Sequence, residues 1–157
     1  MLRDPNNLAH FTLDSFNIAE ATPSAFDGGV ANARGDLAGT GNPKTLFTVT
    51  GEVLVRIIGV CTSDLAGATA TVAVGVTGNT AALLAATTAT DIDTGDLWND
   101  TTPAVGTDTL ANVTGPHVLV NGADIIETVA TASVTGGNVK YICLWRPLSA
   151  TGNVVAA

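Results

Sequence analysis

The chain of 157 residues sets 14 acidic side chains against six Lys and Arg, a formal net charge of −8. Its cations, Arg3, Arg34, Lys44, Arg56, Lys140 and Arg146, are scattered, so no run of basic residues is present to grip phosphates; direct nucleic-acid binding and attraction to anionic membranes are both disfavoured. No apolar run reaches the roughly 20 residues of a membrane-spanning helix, and the start MLRDPNNLAH has no apolar stretch of the secretory kind, so the expected place of synthesis is the cytoplasm. Hydrophobic residues make up 46% of the chain and aromatic ones only 4%. One domain of this size buries a real core, and that core has to be built from Val, Ile, Leu and Ala. With charged residues at 13%, the polar surface rests on Thr, Asn and Ser, which suits a protein packed against partners.

Residues 1–45 carry Pro5, Pro23 and Pro43 and a cluster of glycines, Gly28, Gly29, Gly35, Gly39 and Gly41. Helical and strand periods are both faint there, and the segment reads as an extended N-terminal arm that orders against something else. Phe11, Phe16 and Phe26 in it need burial, on the chain's own domain or on a neighbouring subunit, and are candidate interface residues.

Residues 46–157 read as the folded domain. Leu46 to Thr62 (LFTVTGEVLVRIIGVCT) places Phe47, Val49, Val53, Val55, Ile57 and Cys61 at alternate positions, the period of a strand with one face on a core. Gly51 and Gly59 are its expected bends, where a long strand passes between sheets. The other face turns apolar at Leu54, Ile58 and Val60, which marks a seam between two sheets or between two subunits.

Ala70 to Val76 predicts a second strand closed by Gly78-Asn79, and Ala81 to Ile92 a third, although its Ala and Leu also favour helix. Residues 93–116 predict a long loop with one or two short strands. His117–Val120 follows as a strand, then Ile125–Val134 and Val139–Trp145, which the turn at Gly136-Gly137 joins as a hairpin. Pro147 ends the last. Seven or eight strands and no convincing helix indicate an all-β fold, an antiparallel two-sheet sandwich, jelly-roll-like, with an immunoglobulin-like connectivity as the alternative.

Chemistry-bearing residues are few. Asp91, Asp93, Asp96 and Asp100 alternate through DIDTGDLWND, and Asp91, Asp93 and Asp96 could converge on calcium, but the spacing misses the EF-hand loop and a solvated acidic turn is the simpler reading. Cys61 and Cys143 fall on core faces of the two most apolar strands, as free thiols or as a bonded pair. His10 and His117 lie in no nucleophile motif, no carboxylate pair suggests a glycosidase, and phosphate-loop, dinucleotide and zinc motifs are missing. An enzyme is not expected, nor is a cofactor. Arg34-Gly35-Asp36 matches an integrin-binding tripeptide by coincidence, and Asn99 and Asn112 head glycosylation triplets without meaning lacking secretion.

The run Gly75-Val76-Thr77-Gly78-Asn79-Thr80, the loop Thr90-Asp91-Ile92-Asp93, and Cys143-Leu144-Trp145-Arg146-Pro147-Leu148-Ser149 followed by Gly152-Asn153-Val154-Val155 resemble small proteins encoded among the virion structural genes of tailed bacteriophages. The resemblance implies a capsid decoration, or cement, protein: a small β-domain on the outer head surface, often a homotrimer, that bridges neighbouring major capsid subunits. Other virion roles, in head completion or the tail, are alternatives. So is a ligand-binding or host-attachment module, which would need an exposed aromatic platform such as Trp98.

Overall fold

In the computed structural model, which describes residues 16–99, 116–119 and 122–157, the apolar stretch 46–62 is shared by two strands, β2 (Lys44–Thr50) and β3 (Val53–Ala66). Gly51 turns the corner between them at φ +62, a left-handed conformation that glycine adopts without steric cost, and the two strands join different sheets. The expected bend at Gly51 is therefore present. Gly59 is not a bend. It stays inside β3, and the room left by its missing side chain is taken by Trp98, whose ring lies 3.2 Å from where a Cβ would stand.

The remaining strands are β1 (Asn17–Ala21), β4 (Thr71–Val76), β5 (Asn79–Thr88), β6 (Leu97–Trp98), β7 (His117–Leu119), β8 (Ile125–Ala130), β9 (Gly136–Pro147) and β10 (Asn153–Ala156). They form two five-stranded sheets. One runs β1-β9-β3, with β6 and β7 flanking different stretches of β3; the other runs β10-β2-β8-β4-β5. Every described pairing is antiparallel, and the pairs β1 with β9, β2 with β8, β3 with β7 and β4 with β5 are nested like a folded hairpin. The fold is all-β, two antiparallel sheets facing each other across a core of Phe47, Val53, Val55, Val72, Val74, Leu84, Ile125 and Tyr141.

Three expectations give way to this arrangement. Ile125–Val134 and Val139–Trp145 are not a hairpin: β8 pairs with β2 and β4, whereas β9 pairs with β1 and β3 in the other sheet. Residues 131–135 carry the chain across, with Thr131 at φ +70 and Val134 buried, so Gly136-Gly137 opens β9 instead of closing a turn. Within Ala81–Ile92 the strand stops at Thr88, and Ala89–Asp91 is a single 3-10 turn. The arm boundary at residue 45 also moves. Residues 16–45 pack on the sandwich: β1 extends a sheet beside β9, Phe26 is buried in the core, and the loop between β1 and β2 is pinned by the backbone bonds Phe26 N to Gly137 O and Gly28 N to Val134 O. Residues 1–15, with Phe11, lie outside the described residues.

The segment that follows β9 holds the corner at Gly51. Pro147 ends β9, the backbone N–H groups of Leu148 and Ser149 both donate to Glu52 O, and Ser149 Oγ accepts from Glu52 N. Gly152 fits where a Cβ would stand 2.5 Å from the same Glu52 oxygen. Gly152→Ala should therefore lower stability by about 1–3 kcal/mol, the usual cost of overpacking, read as a lower urea midpoint at unchanged slope.

Candidate interaction surface

Strand β3 makes the site because it is apolar on both sides. Val53, Val55, Ile57 and Cys61 face the core, while Leu54, Arg56, Ile58 and Val60 alternate with them and are half-buried on the other face. Cross-strand register continues that outer face: Arg146 lies opposite Leu54, Leu144 opposite Arg56, Ile142 opposite Ile58 and Lys140 opposite Val60. On the far side of β9, Ile18 stands opposite Leu144 and Glu20 opposite Ile142, and on β6 Leu97 stands opposite Val60. None of these outer-face residues is among the buried core side chains. Ile18 is 66% exposed and Phe16, just before β1, 45%. Leu54, Ile58 and Val60 thus belong to an outward surface and not to the seam between the two sheets. Phe26, by contrast, is inside the domain, its ring centroid 3.8 Å from the Arg34 guanidinium carbon.

The buried polar centre of the molecule lies elsewhere and holds the framework. Arg34, on the loop between β1 and β2, forks onto Glu127 of β8 through Nε to Oε1 at 2.8 Å and Nη2 to Oε2 at 2.6 Å. Its Nη1 donates to Ser24 O and Asn138 Oδ1, and Tyr141 of β9 donates its hydroxyl to Glu127 Oε2 at 2.5 Å. One guanidinium therefore ties the loop to both sheets. Burial alone would lower the Arg34 pKa, but the adjoining Glu127 carboxylate outweighs it and holds the value above the ordinary one. Burial, and then the Glu127 charge, push the Tyr141 phenol well above its usual value.

For Tyr141 the sign is that of a group raised in the fold. Its contribution to stability is fully present below the unfolded value of about pH 10 and is lost as pH rises through the higher folded value. Melting curves should show Tyr141→Phe losing less stability than the parent between about pH 9 and pH 12; parallel curves for the two would contradict the assignment.

The same burial removes the Arg34-Gly35-Asp36 tripeptide from receptors, because Arg34 is 5% exposed and committed to Glu127. The acidic turn is local structure. Asp96 is buried and accepts from Asp93 N through Oδ2, Asp64 accepts from the backbone and hydroxyl of Thr94, and Asp91 and Asp93 point to solvent. Asp96 Oδ1 has no hydrogen-bond partner, yet among the described residues no three His, Cys, Asp or Glu side chains come together as a metal group. Asp100 lies outside the described residues.

Cys61 and Cys143 sit on neighbouring strands and are free and buried. Cys61 faces Val139 and Cys143 faces Ile57, four residues apart along the ladder and beyond disulfide reach. Burial pushes their thiols up to about 11 and about 12 respectively, so neither is a nucleophile at neutral pH. Trp98, the platform candidate, is fully buried against Gly59 and Tyr141, and Trp145 is half-buried against the core. His117 is half-buried on β7; His10 and Asn112 lie outside the described residues, and Asn99 is buried.

Sequence reasoning passed over Glu127, although a signal was there. In IIETVA it shares a strand face with Ile125 and Val129, both core residues, and a carboxylate at such a position requires a buried cation. Set beside protein-family models, curated proteins and solved structures, the chain matches none of them.

Proposed function

We propose that this protein is a virion structural component, a capsid decoration protein that sits on the outer head surface and bridges neighbouring major capsid subunits, as a homotrimer. The observation that carries the reading is the outer face of the β1-β9-β3 sheet, where Ile18, Leu54, Ile58, Val60, Ile142 and Leu144 stand together on the outward side of a sheet whose other side fills the core. Large apolar groups gathered on a sheet face mark a protein contact. Cement acts by such a contact: it binds the assembled shell better than its dissociated parts, and linkage turns that preference into shell stability.

Two further points support it. The phage-like residues Cys143 to Ser149 and Gly152 to Val155 build the corner around Gly51 and one strand of the outer face, so the resemblance touches both framework and proposed contact. The nested strand pairs, ordered β1-β9-β3-β7 and β2-β8-β4-β5, fit a jelly-roll connectivity, an architecture that viral shells use widely; this is support by fold analogy alone. The host-attachment alternative loses its platform with Trp98 buried.

Purified protein added to undecorated, expanded capsids of the source virus should bind at fixed stoichiometry and raise their melting temperature. Protein that stays in the supernatant and leaves the melting curve unchanged would remove the proposal.

A further inference from the structure

We propose that β1 and the segment after it, residues 16–43, form a strap that opens from the sandwich as one unit, with Arg34 as its clasp, while both sheets stay folded. Among the described residues β1 ends its sheet and pairs only with β9, and residues 22–43 hold no strand or helix. Taking 16–43 away leaves β9 paired with β3 and the order β10-β2-β8-β4-β5 complete.

The strap is lightly anchored. Of its hydrophobic side chains only Ala21 and Phe26 are buried, while Phe16, Ile18, Val30 and Leu37 stay exposed. Segments with few buried apolar contacts are the first to open, and a long irregular stretch regains backbone freedom when it does. Beyond the β1 ladder it is held by a row of hydrogen bonds: Phe26 N to Gly137 O, Gly28 N to Val134 O, Val134 N to Gly35 O, Leu37 N to Ser133 Oγ, and the Asn42 side chain to the backbone of Val129. Their partners all lie on one continuous stretch of chain, so a single displacement breaks the row.

Arg34 closes that row. Its guanidinium bonds Glu127 in one sheet and Asn138 and Val139 on a strand of the other, and it lies over the Phe26 ring. With the strap open, Glu127 and Tyr141 meet water, and the edge of β9 from Tyr141 to Trp145 is bared. A hydrated carboxylate needs no buried cation, so the sheets outlast the loss of the clasp. Ile18 leaves with the strap, and the outer face is complete only while the strap is closed; that consequence rests on the docking role of the face, whereas the strap itself does not.

Native-state hydrogen exchange on the full-length, isotope-labelled protein, read by NMR at rising low urea, tests the strap without any capsid. Amides of β1, Phe26, Asp27 and Gly28 should share one opening equilibrium, with a urea slope below that of amides in β3, β4 and β8, which exchange through global unfolding. Two variants separate the classes. Val74→Ala, in the core of the facing sheet, should speed exchange in β3, β4 and β8 about tenfold or more and leave the strap amides within about twofold of the parent. Arg34→Met should speed the strap amides at least about 100-fold. Strap amides that follow the global slope, that scatter into unrelated equilibria, or that respond to Val74→Ala as strongly as β4 would each overturn the inference. The slopes come from the parent protein alone, so a variant that fails to fold leaves the result decisive.

Discussion

Arg34→Met should be the most damaging single substitution in the framework, lowering stability by about 3–5 kcal/mol, the range for removing one partner of a buried ion pair. For a chain of this size that is a fall in melting temperature of roughly 10 °C or more. The cost arises less from the lost attraction than from what is left behind. Glu127 is 1% exposed, and without the guanidinium its carboxylate keeps only the Tyr141 hydroxyl as a described donor. Lysine cannot repair the loss, because one ammonium cannot reproduce the fork onto both Glu127 oxygens while also serving Ser24 O and Asn138 Oδ1. The combined variant Arg34→Met/Glu127→Leu/Tyr141→Phe should recover much of the stability, since no charge is then stranded. A melting temperature for Arg34→Met within a degree or two of the parent would show that the pair does not hold the loop between β1 and β2 to the sheets.

Ile58→Asp and Ile142→Asp should have the largest effect on function and little on fold. These two residues face each other across β3 and β9 at the middle of the outer face, and both are half-buried. The few hot-spot contacts that cluster at the centre of an interface cost about 2 kcal/mol or more when lost, so with Ile58 and Ile142 in that role each variant should bind undecorated capsids about 30-fold more weakly. Because the side chains point away from the core, the cost to folding should stay near the 1 kcal/mol span of strand preferences. Sedimentation binding beside melting curves separates the two effects. Val55→Asp serves as the contrast: Val55 is fully buried on the opposite face of the same strand, and its replacement should abolish folding first.

The sequence showed β3 plainly because alternation and apolar content agree there, and the change of character at Leu54, Ile58 and Val60 pointed to a second surface before any partner was in view. It did not say which kind of seam they formed, because a strand apolar on both sides reads the same whether a sheet or another molecule covers it. The docking of segment 16–45 on the sandwich is hidden from the sequence for a different reason. Its packing rests on isolated contacts, Phe26 in the core, Arg34 on Glu127, and backbone bonds to residues 134 and 137, and no period in the sequence records such contacts. The false hairpin at Gly136-Gly137 has the same origin: turn residues mark where a chain changes direction, not which strand it meets next. Trp98 resembled an exposed platform because acidic residues surround it in the chain, yet its ring fills the hollow that Gly59 leaves, a pairing between positions far apart in sequence. Among the proposed contact residues, Leu54, Ile58 and Val60 are legible; Ile18, Ile142 and Leu144 join them only once the register of β1, β9 and β3 is known.

Electron microscopy of the native virion, at a resolution that places single strands, tests the docking claim most directly. If the proposal holds, this sandwich should lie on the outer head surface with Ile58, Ile142 and Leu144 turned toward the shell. A domain found on the head with that face open to solvent, or a head that carries no copy of the chain, would contradict it.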